Sequence, residues 1–162
     1  MAMAILTWLI AIPVLGMVTG LRSMTAMAML CWFAYKGDLS LDDTWAAWAA
    51  KLTTAIIFTG LALAELIADK LPKTPNRIAP GPLLVRVVIG GLIGSIVAAG
   101  LNGSEFEGII LGVVGALIGS FGGFVVRREI VLRQGCRDWQ VALAEDATAI
   151  ICAVLAMGVV TG

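Results

Sequence analysis

Histidine is missing from this chain altogether. With it go the commonest metal ligand and the side chain best suited to general-base work near neutral pH. Charge is scarce as well: Asp, Glu, Lys and Arg make up 14% of the 162 residues, and 11 basic residues cancel 11 acidic ones. No net positive field exists to hold nucleic acid. The three cysteines, Cys31, Cys136 and Cys152, are far apart and odd in number. They fit neither a zinc spacing nor a disulfide framework and read as small apolar fillers. Neither a nucleophile dyad nor a phosphate-cradling loop is visible. These absences point away from an enzyme and imply no metal and no cofactor.

What the chain has in excess is apolar sequence: 60% of its residues are hydrophobic, against roughly 45–50% in a soluble domain. The excess falls in long runs. Residues 83–101 contain one charge, Arg86; residues 108–126 contain none, and neither do residues 147–161. The last run extends back to Trp139 if Glu145 and Asp146 are counted within it. About 20 apolar residues suffice to cross a bilayer as a helix. The expected fold is therefore all-α: one polytopic transmembrane helical bundle over residues 1–162, with about five hydrophobic segments. The bilayer is its first partner.

The first segment, residues 3–35, has no basic stretch before it and reads as embedded chain rather than a signal peptide. At 1.5 Å per residue it measures about 50 Å, too long for one straight span. Pro13, Gly16 and Gly20 interrupt it, with Arg22 just beyond. It is either a helix kinked near these residues or two helices in a tight hairpin. An acidic loop follows, then a second segment over residues 45–71, a proline-rich connector over 72–82, and segments over 83–101, 108–126 and 139–161, with a basic loop between the last two.

Charge asymmetry orients the chain. Lys70, Lys73, Arg77 and Arg86 flank the proline-rich connector, and Arg127, Arg128, Arg133 and Arg137 mark the basic loop two spans later. The positive-inside rule puts both in the cytoplasm and the C-terminus outside. Trp32, Tyr35 and Trp45 would lie at the outer boundary and Trp139 at the inner one. A faint repeat aligns Leu15-Gly16 with Leu111-Gly112, and the Trp45 stretch with the Trp139 stretch. Three spans apart, the copies would be inverted, as in many transporters.

Two patterns carry functional weight. The first is glycine spacing: Gly90–Gly94, then Gly108–Gly112 and Gly115–Gly119–Gly123, each place small residues one turn apart, so that another helix can approach closely. The second is a set of ionisable groups inside apolar sequence: Arg22, Glu65, Asp69, Glu145 and Asp146. A charge at that depth costs at least about 2.5–3.5 kcal/mol and faces protein or water. The four acids lie at comparable depth and need compensation from Arg22, Arg86, protons or a cation. Such a cluster is either an ion or solute site or a structural ion-pair network. If Gly20 breaks the first segment, Ser23 or Thr25 is placed to cap a half-helix whose free amides attract an anion.

Gly20-Leu21-Arg22-Ser23-Met24-Thr25, the Asp69-Lys70-Leu71-Pro72 run with Thr74, Pro75 and Arg77, the glycine-rich pair of spans and Glu145-Asp146 together resemble a bacterial family of small integral membrane proteins. It is known as the domain of unknown function numbered four-one-two-six. The similarity covers nearly the whole chain. Where the family pattern has proline after Ser-Met-Thr, this chain has Ala26. The resemblance implies a helical protein of the cytoplasmic (inner) membrane and carries over no catalytic residues. Two functions remain in view. One is a transporter or channel for an ion or small solute that uses the intramembrane carboxylates. The other is a non-catalytic scaffold or accessory subunit, packed through its glycines against a second copy or other membrane subunits.

Overall fold

The computed structural model describes residues 2–68, 79–134 and 138–162, with side chains over 9–68, 79–133 and 140–162. These residues form six α-helices and no strand: α1 (Ala2–Leu21), α2 (Ser23–Tyr35), α3 (Leu52–Ala68), α4 (Pro80–Gly100), α5 (Glu105–Gln134) and α6 (Asp138–Thr161). One 3-10 turn, Ala47–Ala50, precedes α3. Three stretches, Pro80–Gly100, Glu105–Arg133 and Gln140–Thr161, are long and apolar enough to cross a membrane, while Leu9–Leu21, Ser23–Tyr35 and Leu52–Ala68 are shorter apolar helices.

Helix ends follow local chemistry. Pro80 and Pro82 open α4 rather than preceding it, because the first turn of a helix has no use for their missing N–H groups. After α4, Asn102 takes the left-handed conformation at φ 54°, and the Gly103 amide reaches back to the Ala98 carbonyl, closing the helix end. Pro13 lies inside α1 without ending it. The stretch expected to be a basic loop from Arg127 is instead helical to Gln134, since arginine and glutamate are good helix formers once the apolar run has ended. The second segment starts later than expected: Trp45 and its neighbours form turns, and α3 begins at Leu52.

Alternation of direction follows from the contacts. Gly94 packs on Gly108 and Gly90 on Gly112, so α4 and α5 are antiparallel. Gly94 also meets Ile12, while Arg86 reaches Gly20, so α1 is antiparallel to α4 and parallel to α5. Ser23 meets Glu65 and Trp32 meets Thr59, so α2 and α3 are antiparallel. Leu39, just past α2, packs on Gly100 at the far end of α4. Helix α2 therefore doubles back from Arg22 toward the end from which α1 came. The first segment is a helical hairpin. The proposed repeat does not survive this arrangement. Of its two matched pairs, α1 and α5 run in the same direction while α3 and α6 run in opposite ones, so no single rotation relates both.

Helix α5 is clasped from two sides at backbone distance. Gly90 and Gly94 face Gly112 and Gly108, while Pro13, Gly16, Met17 and Gly20 face Gly115, Ala116, Gly119 and Ser120. Gly119 thus serves the α1 contact and not the α4 contact. Gly123 is half-buried. A methyl group on Gly20 would stand 2.5 Å from the Ser120 amide nitrogen and 2.7 Å from the Gly119 carbonyl carbon. Backbone cannot step aside as a side chain can. At the opposite end from Arg22, Leu39 and Leu41 are buried beneath the 36–51 connection. There Glu105 accepts bonds from Trp45 Nε1 at 2.9 Å and Ser95 Oγ at 3.3 Å. Large apolar side chains such as Ile67, Leu132 and Leu155 remain exposed on the outside, as a lipid-facing surface requires.

The packing makes a contrast between glycines testable. Gly112→Ala and Gly20→Ala, whose added methyl meets backbone, should lower the unfolding temperature of detergent-purified protein by several degrees. Gly122→Ala and Gly158→Ala, whose methyl meets open space, should leave it unchanged or raise it. Equal effects in the two groups would show that the close approach does not determine stability.

Candidate functional site

The chain reverses at Arg22, the single residue between α1 and α2. Its backbone is extended (φ −146°, ψ 97°), and its side chain is fully buried. A reversal inside a helical bundle exposes two sets of orphan groups: the last carbonyls of α1 and the first amides of α2. Buried and unpaired, each would cost of order 1–3 kcal/mol. Here other helices supply partners.

On the carbonyl side, Gly20 O accepts from Arg86 Nη1 at 3.0 Å and from Ser120 Oγ at 3.3 Å. On the amide side, Glu65 of α3 acts as a cap delivered from outside the helix. Its Oε1 accepts from the Ser23 amide at 3.1 Å and the Ser23 hydroxyl at 3.0 Å, and its Oε2 from the Met24 amide at 2.9 Å. A carboxylate at a helix N-terminus also meets the positive end of the helix dipole. Arg22 itself reaches α6: its Nε donates to Asp146 Oδ1 at 2.7 Å, and its Nη2 lies 2.5 Å from the same oxygen. Asp146 is 7% exposed. Glu145, next in the chain, turns instead toward Arg127 of α5 at 3.9 Å. Adjacent helical residues diverge by about 100°, which sends the two acids to different partners.

Arg86 lies six residues past Pro80 and Asp146 six past Gln140, the starts of the membrane-length stretches of α4 and α6, about 9 Å at 1.5 Å per residue. Ser120 lies within the membrane-length stretch of α5. The hairpin tip therefore meets all three helices within these stretches. Non-helical backbone at such depth is tolerated only where protein or water satisfies it.

Of the residues singled out from sequence, Arg22, Glu65, Glu145 and Asp146 converge on this layer, while Asp69 lies outside the described residues. Sequence reasoning offered Ser23 or Thr25 as the cap of α2. The cap is Glu65, and Ser23 binds to it. Ser120 was missed as a site residue. It stood in a glycine stripe and nothing marked its hydroxyl as the one that would meet Gly20. Among the described residues no three Cys, Asp or Glu come close enough to hold a metal ion.

A bundle of apolar helices around a buried, charge-capped hairpin defines an all-α protein of membrane type. The family model described as Domain of unknown function (DUF4126) matches residues 9–159, and the chain belongs to that family. No curated protein and no solved structure matches it.

The pairing predicts a specific coupling. Arg22→Ala leaves Asp146 buried without its partner, a loss of about 3–5 kcal/mol for a broken buried pair. Adding Asp146→Ala should recover about 0.5–3 kcal/mol of that loss. Adding Glu145→Gln instead should give a simple sum. Unfolding midpoints in detergent read both, and additivity in the Asp146 cycle would show that the two residues act independently.

Proposed function

We propose that the chain conducts or exchanges protons or small monovalent ions across the membrane, with the α1–α2 hairpin as the working element. The observation that carries this reading is the interrupted backbone itself. It meets α4, α5 and α6 within their membrane-length stretches and is held by ionisable side chains from α3, α4 and α6. Broken helices whose ends meet charged groups at depth are the usual construction of ion and solute sites in transporters. Ionisable residues placed there are costly to insert and are functional by default.

A scaffold role is the second reading, and one observation favours it. Asp146, Glu65 and Glu145 each have a partner among the described residues, and the glycine contacts lock α5 between α1 and α4. A buried network of this kind fixes helix register without transporting anything.

Flux separates the two. Purified protein is reconstituted into vesicles with pyranine trapped inside, and a potassium gradient with valinomycin sets the potential. Transport predicts internal pH changing at least several-fold faster than in protein-free vesicles, with the gain lost in Asp146→Asn. Rates equal to protein-free vesicles for protons, sodium and potassium alike would leave the scaffold as the surviving function.

A further inference from the structure

Helix α3 is held from one side. It packs chiefly on α2 and on the 3-10 turn before it. Of its residues only Ala55 and Ala62 are buried, about two turns apart on one face. Leu52, Ile56, Ile57, Leu63 and Ile67 are exposed. Lipid tails are as apolar as such a surface, so covering it against another helix brings little. Packing and hydrogen bonds decide whether the helices stay together. The packed stripe here is narrow, which leaves much to the polar ties. Trp32 Nε1 donates to Thr59 Oγ1 at 3.0 Å. At the tip, the Glu65 carboxylate accepts from the amides of Ser23 and Met24 and from the Ser23 hydroxyl.

The two ties differ in kind. Trp32 and Thr59 are neutral at any pH, while the tie at Glu65 is made by a charge. All its donors are neutral groups of α2, and no Lys or Arg among the described residues pairs with it. Asp146 and Glu145, by contrast, meet Arg22 and Arg127. An ionised carboxylate only accepts, which suits three donors; a protonated one carries a donor of its own. A proton on Oε2 weakens the bond from the Met24 amide, and one on Oε1 weakens those from Ser23. Charge also decides where the side chain can go. An ionised Glu65 cannot leave the α2 amides for lipid without great cost, whereas the neutral acid can. Other ionisable groups on the elements packed against α3 are few. Arg22, at the head of α2, is bonded to Asp146. Cys31 lies about two turns along α2, and Tyr35 and Lys51 lie at the far end of the α2–α3 pair. Helix α3 has no second ionisable residue among those described.

We propose that Glu65 is a proton-binding site that latches α3 to the hairpin: ionised, it holds α3 on the first amides of α2, and protonated, it lets α3 swing away and uncovers the tip. A hydronium ion gives its proton to one carboxylate oxygen and leaves as water; the only bonds lost are hydrogen bonds. The latch lies between α2 and α3 and serves a transporter or a scaffold alike. It does not rest on the flux reading, and its test contains no flux measurement.

Spin labels read the swing directly. Leu63 of α3 and Val88 of α4 are both exposed, so labels at Leu63→Cys and Val88→Cys disturb neither tie. The chain's own cysteines are replaced by alanine and the protein is placed in phosphatidylcholine nanodiscs. Between about pH 8 and about pH 4, pulsed resonance should show a second distance population, displaced by at least about 5 Å. Glu65→Gln, neutral throughout, should show that population at both ends of the range. Ser23→Ala removes one bond to the ionised form, so the midpoint should move to higher pH by about one unit. On the unlabelled parent, amide exchange corrected for its intrinsic pH dependence should show protection at Ser23 and Met24 falling by about ten-fold over the same range. Distances or protection unchanged across the range overturn the latch. A pH response that persists in Glu65→Gln, or a midpoint unmoved in Ser23→Ala, assigns the proton to another group and overturns it as well.

Discussion

The fold depends on satisfying one reversal of the chain. At Arg22 the backbone leaves helical geometry inside the bundle, with its side chain fully buried. Two helix ends and a guanidinium must find partners there or the hairpin cannot persist. Each partner comes from a different helix: Glu65 from α3, Arg86 from α4, Ser120 from α5 and Asp146 from α6. The tip is thus the point at which the other helices are tied to the first pair. Removing one tie leaves a buried polar group exposed to hydrocarbon, where it costs more than its bond contributed.

The glycine contacts supply the complementary constraint. Hydrogen bonds to Gly20 O require α1, α4 and α5 to approach within side-chain reach of one another. Backbone contact between Gly16 and Gly115, and between Gly90 and Gly112, allows this. Polar ties and small residues work together. Bulky residues along these faces would hold Ser120 and Arg86 too far away to meet the α1 carbonyl. The two patterns that stood out separately in the sequence are two halves of one device.

Much of this was legible in the sequence. The apolar runs marked α4, α5 and α6, and Gly20-Leu21-Arg22 marked the interruption. Depth counting put Glu65, Asp69, Glu145 and Asp146 at comparable depth, because rise per residue is fixed, and the need for compensation pointed to Arg22 or Arg86. What stayed hidden were choices of partner. A glycine stripe defines a face but not its neighbour, so Gly119 could not be assigned to α1 rather than α4. Glu65 reaches the amides of Ser23 and Met24 across more than 40 intervening residues, and no local pattern announces a cap delivered from another helix. Apolar content did not mark helix ends either. Charged residues continue α5 past Val126 as readily as apolar ones, and the Trp45 stretch is apolar yet forms turns. The apparent repeat failed for a related reason: Ala-, Ile- and Thr-rich stretches resemble one another whichever way they run.

The separation of Arg22 from Asp146 by 124 residues also fixes an order of events during synthesis. At roughly 5–20 residues per second, the guanidinium is made about 6–25 s before its carboxylate exists. Glu65 arrives early enough to cap α2, and α4 and α5 can clasp α1 in turn. The bond from Arg22 to Asp146, however, waits for the last helix. The tie that joins α6 to the hairpin tip is thus the last of the tip's ties to form, and a chain that ends before α6 lacks it.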